Sequence, residues 1–199
     1  MTAAKHNFDT HIKQCNEAIQ VYEYLDGKGY TADFGLRYVW VASISAMDHF
    51  VSELVIEKAI EQYANGLPLT PKMLNEGIPF DAALKIKNAS STQTVVEFKN
   101  AVENMVRYRT FQKADDVADG LAFVWGQKNK WKKISEAIGT TSESAKGVLN
   151  GIAYRRDVIV HNADYNSATG ALYDCSLQDA KRAISHVSAV VGAIDGLVS

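Results

Sequence analysis

The chain has 199 residues, 47% apolar and 22% charged, with 23 acids against 21 Lys and Arg for a net charge of −2. That balance excludes a disordered or fibrous chain and suits one domain with a sizeable core rather than two. It also excludes a uniformly basic surface, so any contact with nucleic acid has to be local.

Phe8, Ile12, Cys15, Ile19 and Tyr22 recur at spacings of four and three, one stripe of a first helix ending near Gly27 or Gly29. A second helix spans about Ala32 to Ala64 and is apolar on two faces. Val41, Ile44, Val51 and Val55 line one face and Leu36, Met47, Phe50 and Leu54 the other, which places it at the centre of a bundle. Asn65-Gly66 with Pro68, Pro71 and Pro79 marks about 65–92 as a loop-rich connection inside one domain. Val95, Phe98, Val102 and Met105 start a third long helix, and Thr110 to Trp125 continues helically with a break. A short segment from Trp131 to Ile138 is stopped by Gly139. Thr140 with Glu143 has the spacing of a capping box, and the helix it opens carries Val148, Ile152 and Ile159 to an end near Asn162. Leu177, Ala180, Ile184, Val187, Val191, Ile194 and Val198 then alternate three and four without a miss. The 120 residues from Phe80 to Ser199 contain no proline, which favours long helices joined by short turns. The expected fold is an all-α helical bundle of about five to seven helices, a single domain over residues 1–199.

The chain has no Gly-rich phosphate loop, no G-x-S-x-G and no H-E-x-x-H, which removes most nucleotide-hydrolysing, esterase and zinc-protease chemistry. His6, His11 and His186 lack carboxylate or thiol neighbours at ligand spacing, so no metal and no cofactor are expected. Cys15 and Cys175 are too few for a disulfide framework and suit a reduced cytoplasm; Cys15, on a core stripe, is expected to be inert. MTAAKHNFDT has no apolar secretion signal, and Asp48 interrupts the uncharged run from Tyr38 to Met47, so no membrane partner is expected.

Ionic residues gather near the end of the penultimate helix, in Tyr154-Arg155-Arg156-Asp157-Val158-Ile159-Val160-His161-Asn162. Asn150, Tyr154, Asp157 and His161 fall on one stripe at helical spacing, flanked by Arg156. Asp157 is placed to meet His161 one turn later, orienting the imidazole and favouring its charged form. A second account needs no chemistry: a histidine in a last turn interacts with the helix dipole, with Asn162 as left-handed cap. Between Gly126 and His161, seven Lys or Arg (128, 130, 132, 133, 146, 155 and 156) face three acids. That local excess suits a phosphate backbone, with Tyr154 or Trp131 available to stack on a base, and is equally the composition of a solvated face. Asp48, between Ile44 and Val51, needs a partner, either structural or beside the Arg156 and His161 site.

Arg156, four intervening residues and His161, with polar Asp157 after the arginine, resembles the R-x4-6-H signature of the HEPN superfamily of compact helical bundles. The helix containing Val39 to Val51 is similar to the second helix of HEPN proteins of the RiboL-PSP type. The run from Trp131 through Ile138-Gly139 to Val160-His161 is similar to their approach to the motif. The resemblance implies a metal-independent RNA endonuclease, a toxin or defence effector, in which the 2′-OH attacks the adjacent phosphate. Arg156, Asp157 and His161 would then be catalytic, with His161 as acid or base and Arg156 on the phosphate. Arg155, Tyr154, Lys132 and Lys133 would bind RNA, and Asp48 and Asn150 would support the site. It implies a homodimer that joins two motifs, and an antitoxin or regulatory partner. The doubled Arg155-Arg156 leaves either arginine open; the register that puts a polar residue next favours Arg156. Two other classes remain: a non-catalytic HEPN-like interaction or nucleotide-binding module, and a helix-turn-helix DNA-binding regulator built on Trp131 to Ile138, Gly139 and the next helix. The latter is weakened by the low positive charge of Ser142, Glu143, Ser144 and Lys146, where a reading helix would meet bases.

Overall fold

The computed structural model describes residues 1–198. Nine helices run through them: α1 (Ala3–Asp26), α2 (Asp33–Ala64), α3 (Pro71–Asn75), α4 (Phe80–Asn88), α5 (Ser91–Val106), α6 (Ala114–Leu121), α7 (Lys130–Ala137), α8 (Ser142–Asn162) and α9 (Leu177–Val198). The all-α expectation holds, with more helices than the five to seven anticipated. Among the described residues, extended pairing is limited to one antiparallel bridge, Tyr165 to Leu172.

Helix α2 is the hub, as its two apolar faces require. It packs against α1, α5, α6, α8 and α9, and Leu36, Ile44, Met47, Phe50, Val51, Leu54 and Val55 are fully buried. By length and composition it could cross a membrane, yet half of its most apolar stretch lies buried inside the bundle. The stripe of α1 is buried at Phe8, Cys15 and Ile19, and burial pushes the Cys15 thiol up to about 11. Thr2 caps α1, its hydroxyl accepting from the Lys5 amide at 3.1 Å. The same hydroxyl donates to Asp195 of α9 at 2.6 Å, so the first and last helices are tied where both ends meet.

The connection at 65–92 holds two helices. Pro71 occupies the first turn of α3 and Pro79 the cap of α4, positions where the missing amide proton costs nothing and the fixed φ suits a helix start. Thr70 anchors α3, accepting from Met73 N at 3.1 Å and donating to the carbonyls of Ala122 and Phe123 at 2.9 and 2.8 Å. The α8 cap sits one residue beyond the expected Thr140. That residue closes α7 instead, its amide bonding to Ser135 O at 2.9 Å beside Gly139 N to Glu136 O at 3.3 Å, around a left-handed Gly139 (φ 74°). Thr141 is therefore the cap, accepting from Ser144 N at 3.1 Å. At the far end Asn162 is still helical, and Ala163 rather than Asn162 turns left-handed (φ 49°).

A Cβ on Gly120 would lie 2.5 Å from Cε1 of the buried Phe111, so Gly120→Ala is expected to cost about 1–3 kcal/mol in urea unfolding. His186 of α9 is half-buried against α8, 3.0 Å from the Ala145 carbonyl; burial pushes its pKa down from the ordinary 6.5, with that hydrogen bond opposing. Its folded pKa lies below its unfolded one, so the contribution is complete above 6.5 and is lost as the pH falls below it. Between about pH 7.5 and 5.5 the melting temperature should fall more in the parent chain than in His186→Gln; an equal fall would refute the assignment.

Candidate functional site

Helix α8 carries the predicted constellation, and its local contacts sort the two arginines. Arg155 turns toward Asp164, the second of two consecutive left-handed residues after the helix (φ 63°) and fully buried. Its guanidinium grips both carboxylate oxygens, Nη1 to Oδ1 and Nη2 to Oδ2, the latter at 2.9 Å. Nη2 also donates to the Asp174 carbonyl at 3.1 Å, and the group lies 5.4 Å from the Tyr173 ring centre. Arg37 of α2 joins from the other side, Nε to Asp164 Oδ2 at 2.6 Å and Nη2 to Tyr173 O at 3.1 Å. Arg155, expected to bind RNA, is thus taken up by the scaffold.

Arg156 points elsewhere. Its Nη1 is 3.1 Å from Oδ1 of Asp157, and its Nε is buried with no hydrogen-bond partner. The side chain borders a cleft of about 610 Å³ between α2, the end of α5 and α8, shared with Asp48, His49, Arg107, Arg109 and Gln112. Asp48, for which a place beside Arg156 and His161 was one of two expectations, shares this cleft with Arg156. The Asp48 carboxylate is committed to the 107–113 connection, accepting from Phe111 N at 2.7 Å and Gln112 Nε2 at 2.8 Å. Arg107, Arg109 and His49 were not anticipated here; the Arg107-Tyr108-Arg109 triplet is their one trace in the sequence.

Asp157 does not meet His161 as expected; its partner is Arg156. His161 is exposed in the last turn of α8 and makes no hydrogen bond or ion pair with the described residues. Tyr154, two turns earlier on the same stripe, is 69% exposed, so it is free to stack. Asn150 does not reach the cleft: its Oδ1 accepts from Ala114 N at 2.9 Å and holds the start of α6. Trp131 is buried and donates to Ala114 O at 2.7 Å, so it is core and not a stacking platform.

The basic run divides in space. Lys132 lies at the start of α7 on a cleft that also includes Lys146 of α8. Lys133 is exposed and 3.4 Å from Glu136. With a rise of 1.5 Å per residue, Lys146 is about 22 Å along α8 from His161. Lys146 and His161 therefore stand toward opposite ends of α8, and Lys132 and Lys133 belong to α7. Among the described residues, no group of three or more His, Cys, Asp or Glu is placed to hold a metal ion.

Removing Asp164 would leave Arg37 and Arg155, each under a fifth exposed, without their shared counter-charge. Asp164→Ala is expected to cost about 3–5 kcal/mol in urea unfolding, and a loss below about 1 kcal/mol would show that the clamp carries no weight. No family model, no curated protein and no solved structure matches the chain, so the site's activity has to be read from its own geometry.

Proposed function

We propose that the chain is a metal-independent RNA endonuclease of the HEPN type, acting through Arg156 and His161. The observation that carries this reading is the contrast between the neighbouring arginines. Arg155 is bound to both oxygens of Asp164 and to Asp174 O, whereas the only side-chain hydrogen bond of Arg156 among the described residues is Nη1 to Asp157, and its side chain borders the cleft. A guanidinium with spare donors, steadied by a carboxylate, suits the charge that builds on phosphate oxygens during transfer. His161, unpaired and exposed, is open to accept a proton from a ribose 2′-OH.

The 2′-oxygen attacks phosphorus as a histidine takes its proton, the bond to the 5′-oxygen breaks, and that oxygen is protonated by a second acid. The products are a 2′,3′-cyclic phosphate and a 5′-hydroxyl. One imidazole cannot be base and acid in the same step, and five residues of helix set Arg156 and His161 about 140° apart around α8. A two-fold pair of chains supplies the second histidine and brings the arginine of one copy toward the histidine of the other.

Purified protein incubated with several structured and unstructured RNAs in excess EDTA should release cyclic-phosphate ends. His161→Ala and Arg156→Ala should each lose at least about 100-fold in cleavage rate, while Arg155→Lys is compared at matched folded fraction. Equal cleavage by parent and both alanine variants would remove these residues from the chemistry. No cleavage of any RNA would favour the non-catalytic interaction module.

A further inference from the structure

Away from the motif, Lys128, Lys130, Lys132 and Lys146 line a cleft of about 680 Å³ between α6 and the starts of α7 and α8, with Asp115 and Asp119 on its wall. The two carboxylates are already taken. Lys146 is 2.8 Å from Asp115, and Lys72 of α3 pairs with Asp119. Among the described residues Lys128, Lys130 and Lys132 form no ion pair of their own, on a chain whose overall charge is −2.

Lys130 makes the case specific. It is only 9% exposed, and its Nζ gives one hydrogen bond, to Gln127 O at 2.7 Å, leaving two donors. Burial and the nearby Lys72 ammonium push its amine down from the ordinary lysine value, with Asp119 opposing. A buried ammonium crowded by like charge is costly as it stands, and an anion entering the cleft would offset both costs. Exposed Lys128 and Lys132 flank it, each able to follow the ligand as a mobile point charge.

We propose that this cleft is a binding site for an oligophosphate anion, held by Lys128, Lys130 and Lys132. Two sources present that chemistry: the triphosphate of a free nucleotide, and consecutive phosphates of an RNA strand. The site stands apart from the cleavage chemistry and does not depend on it.

Binding of inorganic triphosphate and of a short RNA lacking terminal phosphates is measured by calorimetry at low salt, on the parent chain and on Lys128→Glu, Lys132→Glu and Lys87→Glu. Lys87 is exposed on α4, away from the cleft, and controls for net charge. At least one ligand should bind with an affinity that falls as salt rises. Reversal at Lys128 or Lys132 should weaken it by about tenfold or more, and reversal at Lys87 by far less. Triphosphate binding alone assigns the site to a free oligophosphate group, such as that of a nucleotide, and RNA binding alone assigns it to the strand backbone. Failure of both ligands to bind at millimolar concentration, or equal weakening by all three reversals, would overturn the proposal. Because binding is read without turnover, loss of cleavage activity would leave this result unaffected.

Discussion

The carboxylate of Asp164 is the constraint around which this end of the molecule is built. It carries a negative charge into a fully buried position, which is tolerable only because Arg37 and Arg155 arrive from α2 and α8 to meet it. Such a clamp adds little net stability, since three charged groups lose water, but it penalises every arrangement in which a partner is missing. It also holds the chain in two successive left-handed residues, Ala163 and Asp164, where neither side chain prefers to be. The backbone of Asp164 takes part as well, its carbonyl accepting from Tyr173 N at 2.9 Å and its amide bonding to Val158 O at 3.2 Å. The turn that follows His161 is thus fixed from both sides.

From that clamp follows the division of labour along α8. Arg155 faces inward to Asp164, so its neighbour, 100° further round, faces the cleft beside Asp48. The other end of the helix is held differently, by Asn150 accepting from α6 and by the turn at Gly139 that links it to α7. These contacts fix where the lysines stand relative to the arginine. Along α8, Lys146 and Arg156 stand about 15 Å apart, more than a Debye length in physiological salt, so the local positive charge of the chain is divided rather than one continuous patch.

Much of the fold was legible because period and burial agree. Most of the stripes of α1 and α9 and of the two apolar faces of α2 are core positions in the structure, with Ile12, Tyr22, Leu177 and Val198 partly buried at their ends and edges and Val41 left on the surface side of α2. A helix apolar on two faces had no alternative to the centre. The short helices α3 and α4 were not legible, because proline reads as a breaker while Pro71 and Pro79 stand where helices begin. The α8 cap slipped by one residue because Thr140 was already needed to close α7. At the candidate site, spacing along one helix identified the right segment but not the partners. Asp157 turned to adjacent Arg156 instead of His161, and the fates of Arg155, Asn150 and Asp48 were decided by groups 9 to 64 residues distant, which no local pattern encodes.

The divergence of Arg156 and His161 gives the proposed pairing a physical requirement. The stripe with His161 also carries Tyr154, and Val160 beside it and Tyr165 and Leu172 in the loop that follows are exposed as well, between 46% and 69%. Exposed apolar groups at the end of α8 and in the loop after it are what a partner laid there would bury. A second copy laid across this end of α8 would bury them, exclude water from the arginine and histidine, and so strengthen the electrostatic interactions on which phosphoryl transfer depends. In such a pair the rigidity conferred by the Asp164 clamp would count beyond the single chain, because two surfaces meet in register only if each holds its shape beforehand.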